Sequence, residues 1–235
     1  MTRHAQLNNV EHRDLRVDTR RSAALGDDVG FAATFPAEFR DLQAHYPIVF
    51  RKDAHGAFSP VALLGLQEAQ NLFLVDDGWD AHYVPLAIER QPFLIGRGGD
   101  ELTVHVDLDS PRVGVDTGQA LFREHGGNTE YLERITSVLL TLHNGFERVP
   151  AFVEALLAHD LLESFVLDVE LDDGSLNRLA GYYTVNEDRL RGLDAAVLGR
   201  LHAAGHLEPV FMAVASVSNF RDLIERMNRR RAGER

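Results

Sequence analysis

Phe165-Val166-Leu167-Asp168-Val169-Glu170-Leu171-Asp172-Asp173-Gly174-Ser175-Leu176 is the stretch that decides the fold class. Phe165, Leu167, Val169 and Leu171 recur every second residue, which puts their side chains on one face of a strand. Asp172-Asp173-Gly174 is turn chemistry, and the chain returns from Leu176 to Val185. A strand, a short Asp-Gly turn and a returning strand predict an antiparallel hairpin.

Outward from that hairpin the pattern turns helical on both sides. Upstream, Tyr131, Leu132, Ile135, Val138, Leu139 and Leu142 keep a 3.6-residue stripe, which Asn144-Gly145 is placed to end. A second helix is expected from Pro150 to His159. Downstream, Asp194 can cap a helix that ends at Gly205. Pro209 to Val214 reads as an apolar strand, and Ser218 as the cap of a final helix. In that helix Phe220, Leu223, Ile224 and Met227 share one stripe.

The N-terminal half reads as short strands. Ile48-Val49-Phe50, Val61 to Leu66, Asn71 to Val75, Phe93-Leu94-Ile95 and Leu102 to Asp109 are separated by turn clusters. Those clusters include Asp53-Ala54-His55-Gly56, Asp76-Asp77-Gly78 and Gly98-Gly99-Asp100. Pro36 starts a short helix with Phe39 and Leu42 on one side, and Pro85 to Arg90 forms another that Pro92 stops. The expected class is α+β: a β-rich N-terminal half, then a mixed α/β C-terminal half, with mostly antiparallel strands. Residues 1–33 are polar and without periodicity, so a flexible N-terminal arm is expected there. Residues 34–235 are expected to form a single domain. A sub-boundary would fall near 110–128, where Gly114, Gly118, Gly126 and Gly127 collect.

Composition narrows the function classes. The 235 residues include no cysteine, which removes disulfide frameworks, thiolate metal sites and cysteine nucleophiles. A formal net charge of -12 argues against nucleic acid as a partner, because phosphate neutralisation needs Lys and Arg. The basic run Arg229-Arg230-Arg231 reads as a solvated helix end. No apolar run approaches the roughly 18 residues of a membrane span, and Met1 to Gln6 lacks the apolar core of a signal peptide. The expectation is a cytoplasmic protein with no membrane insertion.

Two constellations could carry chemistry. Trp79, His82, Tyr83 and Arg90 gather aromatic and polar groups in a short span, a composition suited to a ligand- or partner-binding surface, with core packing the competing explanation. His105 and Asp107 share one face of a strand, as two ligands of a 2-His-1-carboxylate iron site would. Polar alternation on a solvent face explains the same spacing. Gly96-Arg97-Gly98-Gly99-Asp100 lacks the Gly-Lys-Ser/Thr ending of a phosphate loop and reads as a turn. Neither a Gly-x-Ser-x-Gly elbow nor a His-Glu-x-x-His pair is present.

Tyr46-Pro47-Ile48-Val49-Phe50 followed by Pro60-Val61-Ala62-Leu63-Leu64-Gly65-Leu66 resembles the bacterial SapC family. The likeness continues through Asn71-Leu72-Phe73, Trp79 with Tyr83-Val84-Pro85, Gln91-Pro92-Phe93, and Leu102-Thr103-Val104 with Asp107 and Ser110-Pro111. It extends to Gly118-Gln119-Ala120-Leu121-Phe122, Asp173-Gly174, Gly181-Tyr182-Tyr183 and Ser218-Asn219-Phe220-Arg221-Asp222-Leu223. The peptide-transporter permease and the saposin that share this name are different proteins, one needing several membrane spans and the other a cysteine framework.

The resemblance implies a genetic neighbourhood rather than a reaction. Such proteins are encoded beside TonB-dependent receptors, flavoproteins like tryptophan halogenases, and cupin-type or other iron oxygenases. An older label ties some of them to surface-layer protein export. It supplies no catalytic residue, and it leads one to expect an aliphatic residue where His105 stands. The expected function is a non-enzymatic accessory protein, without a cofactor, that presents a peptide or protein substrate to a partner oxygenase or flavoprotein. The alternative is an enzyme of another type, an iron-dependent oxygenase using His105 and Asp107.

Overall fold

Strands Leu162–Glu170 and Leu176–Val185 pair antiparallel, as the alternation predicts. Their turn holds Gly174 at a φ of 78°, a left-handed conformation that glycine adopts without steric cost. Asp173 Oδ1 accepts from the Ser175 backbone N–H at 2.9 Å, the local bond that makes Asp a turn former. The computed structural model of the protein describes residues 3–76, 78–98 and 101–233. Asp77, Gly99 and Asp100, from two of the expected turns, lie outside the described residues.

The hairpin is one edge of a five-stranded sheet ordered Leu162–Glu170, Leu176–Val185, Ile48–Lys52, Phe58–Leu63, Phe31–Ala33, with every pairing antiparallel. Together with the helices this is the expected α+β class. The strand beginning at Phe58 ends at Leu63, because Leu64 and Gly65 then direct their N–H groups to the Gly30 carbonyl. The chain divides into two compact units. The first comprises Met1–Asp28, Leu74–Trp79 and Leu86–Asn144; the second comprises Val29–Phe73, Asp80–Pro85 and Gly145–Arg235.

Residues 4–33 do not form the flexible arm expected over 1–33. His4–Gln6 pairs with the strand that carries His105, Arg16–Val17 pairs with Val113–Gly114 and Gln119–Ala120, and Val17 is fully buried. Strands of two or three residues bond through the backbone, so they leave no side-chain period to read. The 110–128 segment is not a joint either. Gly118 has a φ of 103°, and a Cβ there would collide with the Val17 backbone, so this glycine closes a tight turn inside the first unit.

Three further expectations are also corrected. Asn144-Gly145 does not end a helix: Glu130–Leu157 runs for 28 residues through it and through Pro150. Gly145 is a packing residue, since any Cβ there would overlap the Phe35 ring. Pro209 to Val214 is not a strand but part of the helix Leu207–Ser216. Pro209 sits in its first turn, where a missing N–H costs nothing, and Val210 and Ala213 are buried at a helical spacing. Ser218 does not cap the last helix, for its hydroxyl donates back to the Ala215 carbonyl at 2.9 Å.

Other readings hold. Asp194 Oδ1 accepts from the Val197 N–H at 2.8 Å and caps the helix Ala195–Ala203. In the final helix, Phe220–Gly233, Leu223 and Met227 are buried, and Phe220 and Ile224 are half-buried. The core of the second unit is aromatic: Phe39 meets Phe152 edge-on at 5.9 Å, and Phe35, Phe50 and Tyr46 are fully buried. The core of the first unit is Val17, Phe93, Val106, Leu121, Leu132, Ile135 and Leu139. Among the described residues no helix is long and apolar enough to cross a membrane.

Candidate functional site

The four residues expected to form a binding surface are divided between the units. Trp79 lies half-buried on a two-residue strand paired with Leu74–Val75, and Arg90 Nη1 donates to the Phe93 carbonyl at 2.6 Å; both belong to the first unit. Burial pulls the Arg90 guanidinium below its ordinary pKa. His82 and Tyr83 belong to the second unit. Tyr83 Oη donates to Glu38 Oε1 at 3.1 Å, and its carbonyl accepts from the Tyr46 hydroxyl. Glu38 is itself buried and also accepts from Thr34 Oγ1 at 2.6 Å, so Tyr83 completes an internal network. His82 is exposed, its ring 5.9 Å from that of His45. Burial first, and His82 second, depress the His45 pKa.

His105 and Asp107 are held locally on the strand Glu101–Asp107. The His105 ring stands 3.1 Å from Thr103 Oγ1 through Nε2, and it covers Gly96 on the neighbouring strand so closely that a Cβ there would strike it. Asp107 Oδ1 accepts from the Asp109 N–H at 3.1 Å. A facial triad needs a third ligand, and among the described residues no group of three His, Asp or Glu stands together.

A different place in the second unit gathers polar groups around open space, and its origin is a glycine inside a strand. Phe165 pairs with Tyr182 and Leu167 with Leu179, so Ala180-Gly181 places one extra residue in the returning strand. Gly181 has a φ of 83°, which is the form of bulge that bends a strand. On the other side, only Tyr182 and Tyr183 pair with Arg51 and Phe50. Among the described residues the strand backbone from Leu176 to Leu179 therefore pairs with Leu167–Glu170 alone, and Ala180 and Gly181 have no paired strand on either side. The other edge of this strand faces a slot of about 400 Å³, lined by Arg51, Lys52, Gly65 to Glu68 and Arg178 to Tyr182.

The slot concentrates positive charge in an acidic protein. Arg51, Lys52 and Arg178 line it against one carboxylate, Glu68. The Arg51 guanidinium lies 4.2 Å over the Phe31 ring and 6.0 Å from the Tyr182 ring, contacts that hold it while leaving its N–H groups available. Lys52 Nζ stands 5.2 Å over Phe58. Among the described residues Arg178 makes only a long, exposed ion pair with Asp168 at 3.7 Å. Gln67 Nε2 donates to Asn177 Oδ1 at 3.2 Å and ties the two walls at one end. Burial raises the Tyr182 pKa, with Arg51 opposing it.

None of Trp79, His82, Tyr83, Arg90, His105 or Asp107 lines this slot. No catalytic or ligand motif in the sequence marks it. The available signal was Gly181, a glycine inside an apolar strand pattern, which commonly marks a bulge.

Compared with known proteins, residues 7–223 match the family model described as SapC. No curated protein and no solved structure matches the chain.

Proposed function

From the premise that this chain belongs to the SapC family, we propose that it is a non-enzymatic binding protein that holds an extended, acidic peptide segment in the slot beside Arg178 to Gly181 and presents it to a partner oxygenase or flavoprotein. The observation that carries this reading is the unpaired strand edge from Leu176 to Gly181, opened by the bulge at Gly181. An open edge offers backbone N–H and C=O groups to an added strand, the mode by which many domains take extended peptides. Each backbone bond so formed contributes about 0.5–1.5 kcal/mol net. Arg51, Lys52 and Arg178 supply the selection for carboxylates, and planar guanidinium groups can bind them through two bonds at once.

The test is fluorescence anisotropy with labelled eight-residue peptides of acidic, neutral and basic composition. The acidic peptide is expected to bind tightest, and Arg51→Ala with Arg178→Ala to weaken it at least tenfold at an unchanged thermal midpoint. Equal affinity for the three peptides, or full affinity in the double variant, defeats the proposal.

A further inference from the structure

A second cleft in the same unit shares no lining residue with the slot. Its volume is about 360 Å³, in the range of small-molecule sites. Phe152, fully buried, forms the floor, with the His206 ring edge-on at 5.5 Å, and Met212 and Pro36 are further apolar walls. Gly205 has a φ of 73°, which turns the chain out of the helix Ala195–Ala203 and into Leu207–Ser216. That turn brings His206 and Glu208 into the lining, which also holds Arg40 and Arg148.

The charges in the lining do not cancel. Arg40 Nε and Nη2 both donate to Glu208 Oε1, at 3.1 and 2.7 Å, so that pair is internally neutral. The bond to Glu208 raises the Arg40 pKa. Arg148 has no carboxylate partner among the described residues, leaving an uncompensated cation over an aromatic floor. The N–H groups of Leu207 and Glu208, in the first turn of a ten-residue helix, also lack an acceptor among the described residues. His206 adds a ring N–H donor in either tautomer.

We infer that this cleft binds a small monocarboxylate with an apolar body, its carboxylate on Arg148 and His206 and its body against Phe152 and Met212. Size and charge select this class. Glu208 in the lining opposes a dianion such as phosphate, whereas a single negative charge is matched by Arg148. The apolar floor offers nothing to a ligand that is polar throughout. This site rests on its own observations and stands or falls apart from the peptide slot.

The sequence holds three methionines, Met1, Met212 and Met227, so the Met212 methyl resonance is a local reporter. Titration of methyl-labelled protein with benzoate is expected to shift Met212 with saturation. Benzamide and inorganic phosphate should bind at least tenfold more weakly. Arg148→Ala should cut benzoate affinity at least tenfold at an unchanged thermal midpoint, since Arg148 is exposed and has no carboxylate partner among the described residues, while Arg51→Ala should leave it unchanged. Four results overturn the inference: no saturable benzoate shift at Met212, equal binding of benzamide, tighter binding of phosphate, or full affinity in Arg148→Ala.

Discussion

Arg112 is the largest fully buried side chain of the first unit, whereas Tyr46, Phe35, Phe39, Phe50 and Phe152 take that place in the second. Arg112 pairs with Asp27, which is also buried, and its Nη1 donates to the carbonyls of Asp18 and Arg20 at 3.0 and 2.8 Å. Arg21 Nη1 approaches the same carboxylate at 3.5 Å and bonds to the Ile88 carbonyl at 3.2 Å. Burial lowers the Arg21 pKa, with Asp27 opposing that shift and Arg112 adding to it. Among the described residues Arg112 Nε is buried without an acceptor.

The first unit therefore adds a buried charged hub to its apolar cluster, and the second packs a continuous sheet and helices chiefly through aromatic and aliphatic surface. The two kinds of core should fail differently. A charged hub is costly to break at one member, because desolvated charge is left behind. An apolar core loses stability in proportion to the volume removed.

The largest expected effect is at that hub. Asp27→Ala leaves two arginines facing each other and should destabilise by about 3–5 kcal/mol in urea titrations. In the second unit, Leu223→Ala removes a fully buried side chain and should cost about 2–4 kcal/mol. If the order of these two reverses, the contrast between the cores is wrong.

Tyr131 sharpens the comparison through pH. Burial pushes its hydroxyl up to about 12 from an ordinary 10.0, outweighing the opposite pull of Arg21 and Arg112. Between those values the unfolded chain loses the proton and the folded one keeps it, so stability should fall as pH rises through that window. The loss is on the order of 2 kcal/mol and should be missing in Tyr131→Phe. Equal alkaline losses in both proteins would place Tyr131 outside the dry core.

The smallest effect concerns the bulge. Gly181→Ala puts a Cβ at a φ of 83° and should cost about 1–2 kcal/mol, with peptide binding in the slot lost beyond that. Unchanged binding would show that the bulge does not shape the slot.

What could be read in advance was local. Asp173-Gly174 makes its turn from its own side chain and backbone, Asp194 caps its own helix, and Leu223 and Met227 follow a period of one helix. Gly145 was misread because a glycine that ends a helix and one that admits a ring look alike until Phe35 is known to lie against it. Pro209 was misread because six apolar residues fit strand and helix equally well.

The candidate slot was hidden for a related reason. Its cations come from Arg51 and Lys52 on one strand and Arg178 on another far along the chain, and strand pairing makes them neighbours. Sequence alone determined the acidic composition, the absence of cysteine, the α+β class and the hairpin, because each follows from residue counts or from contacts within a few positions. Tertiary structure alone decided the docking of residues 4–33, the passage of one helix through Gly145 and Pro150, and the open edge beside Gly181. These depend on which distant backbone meets which, and chain separation carries no record of that meeting.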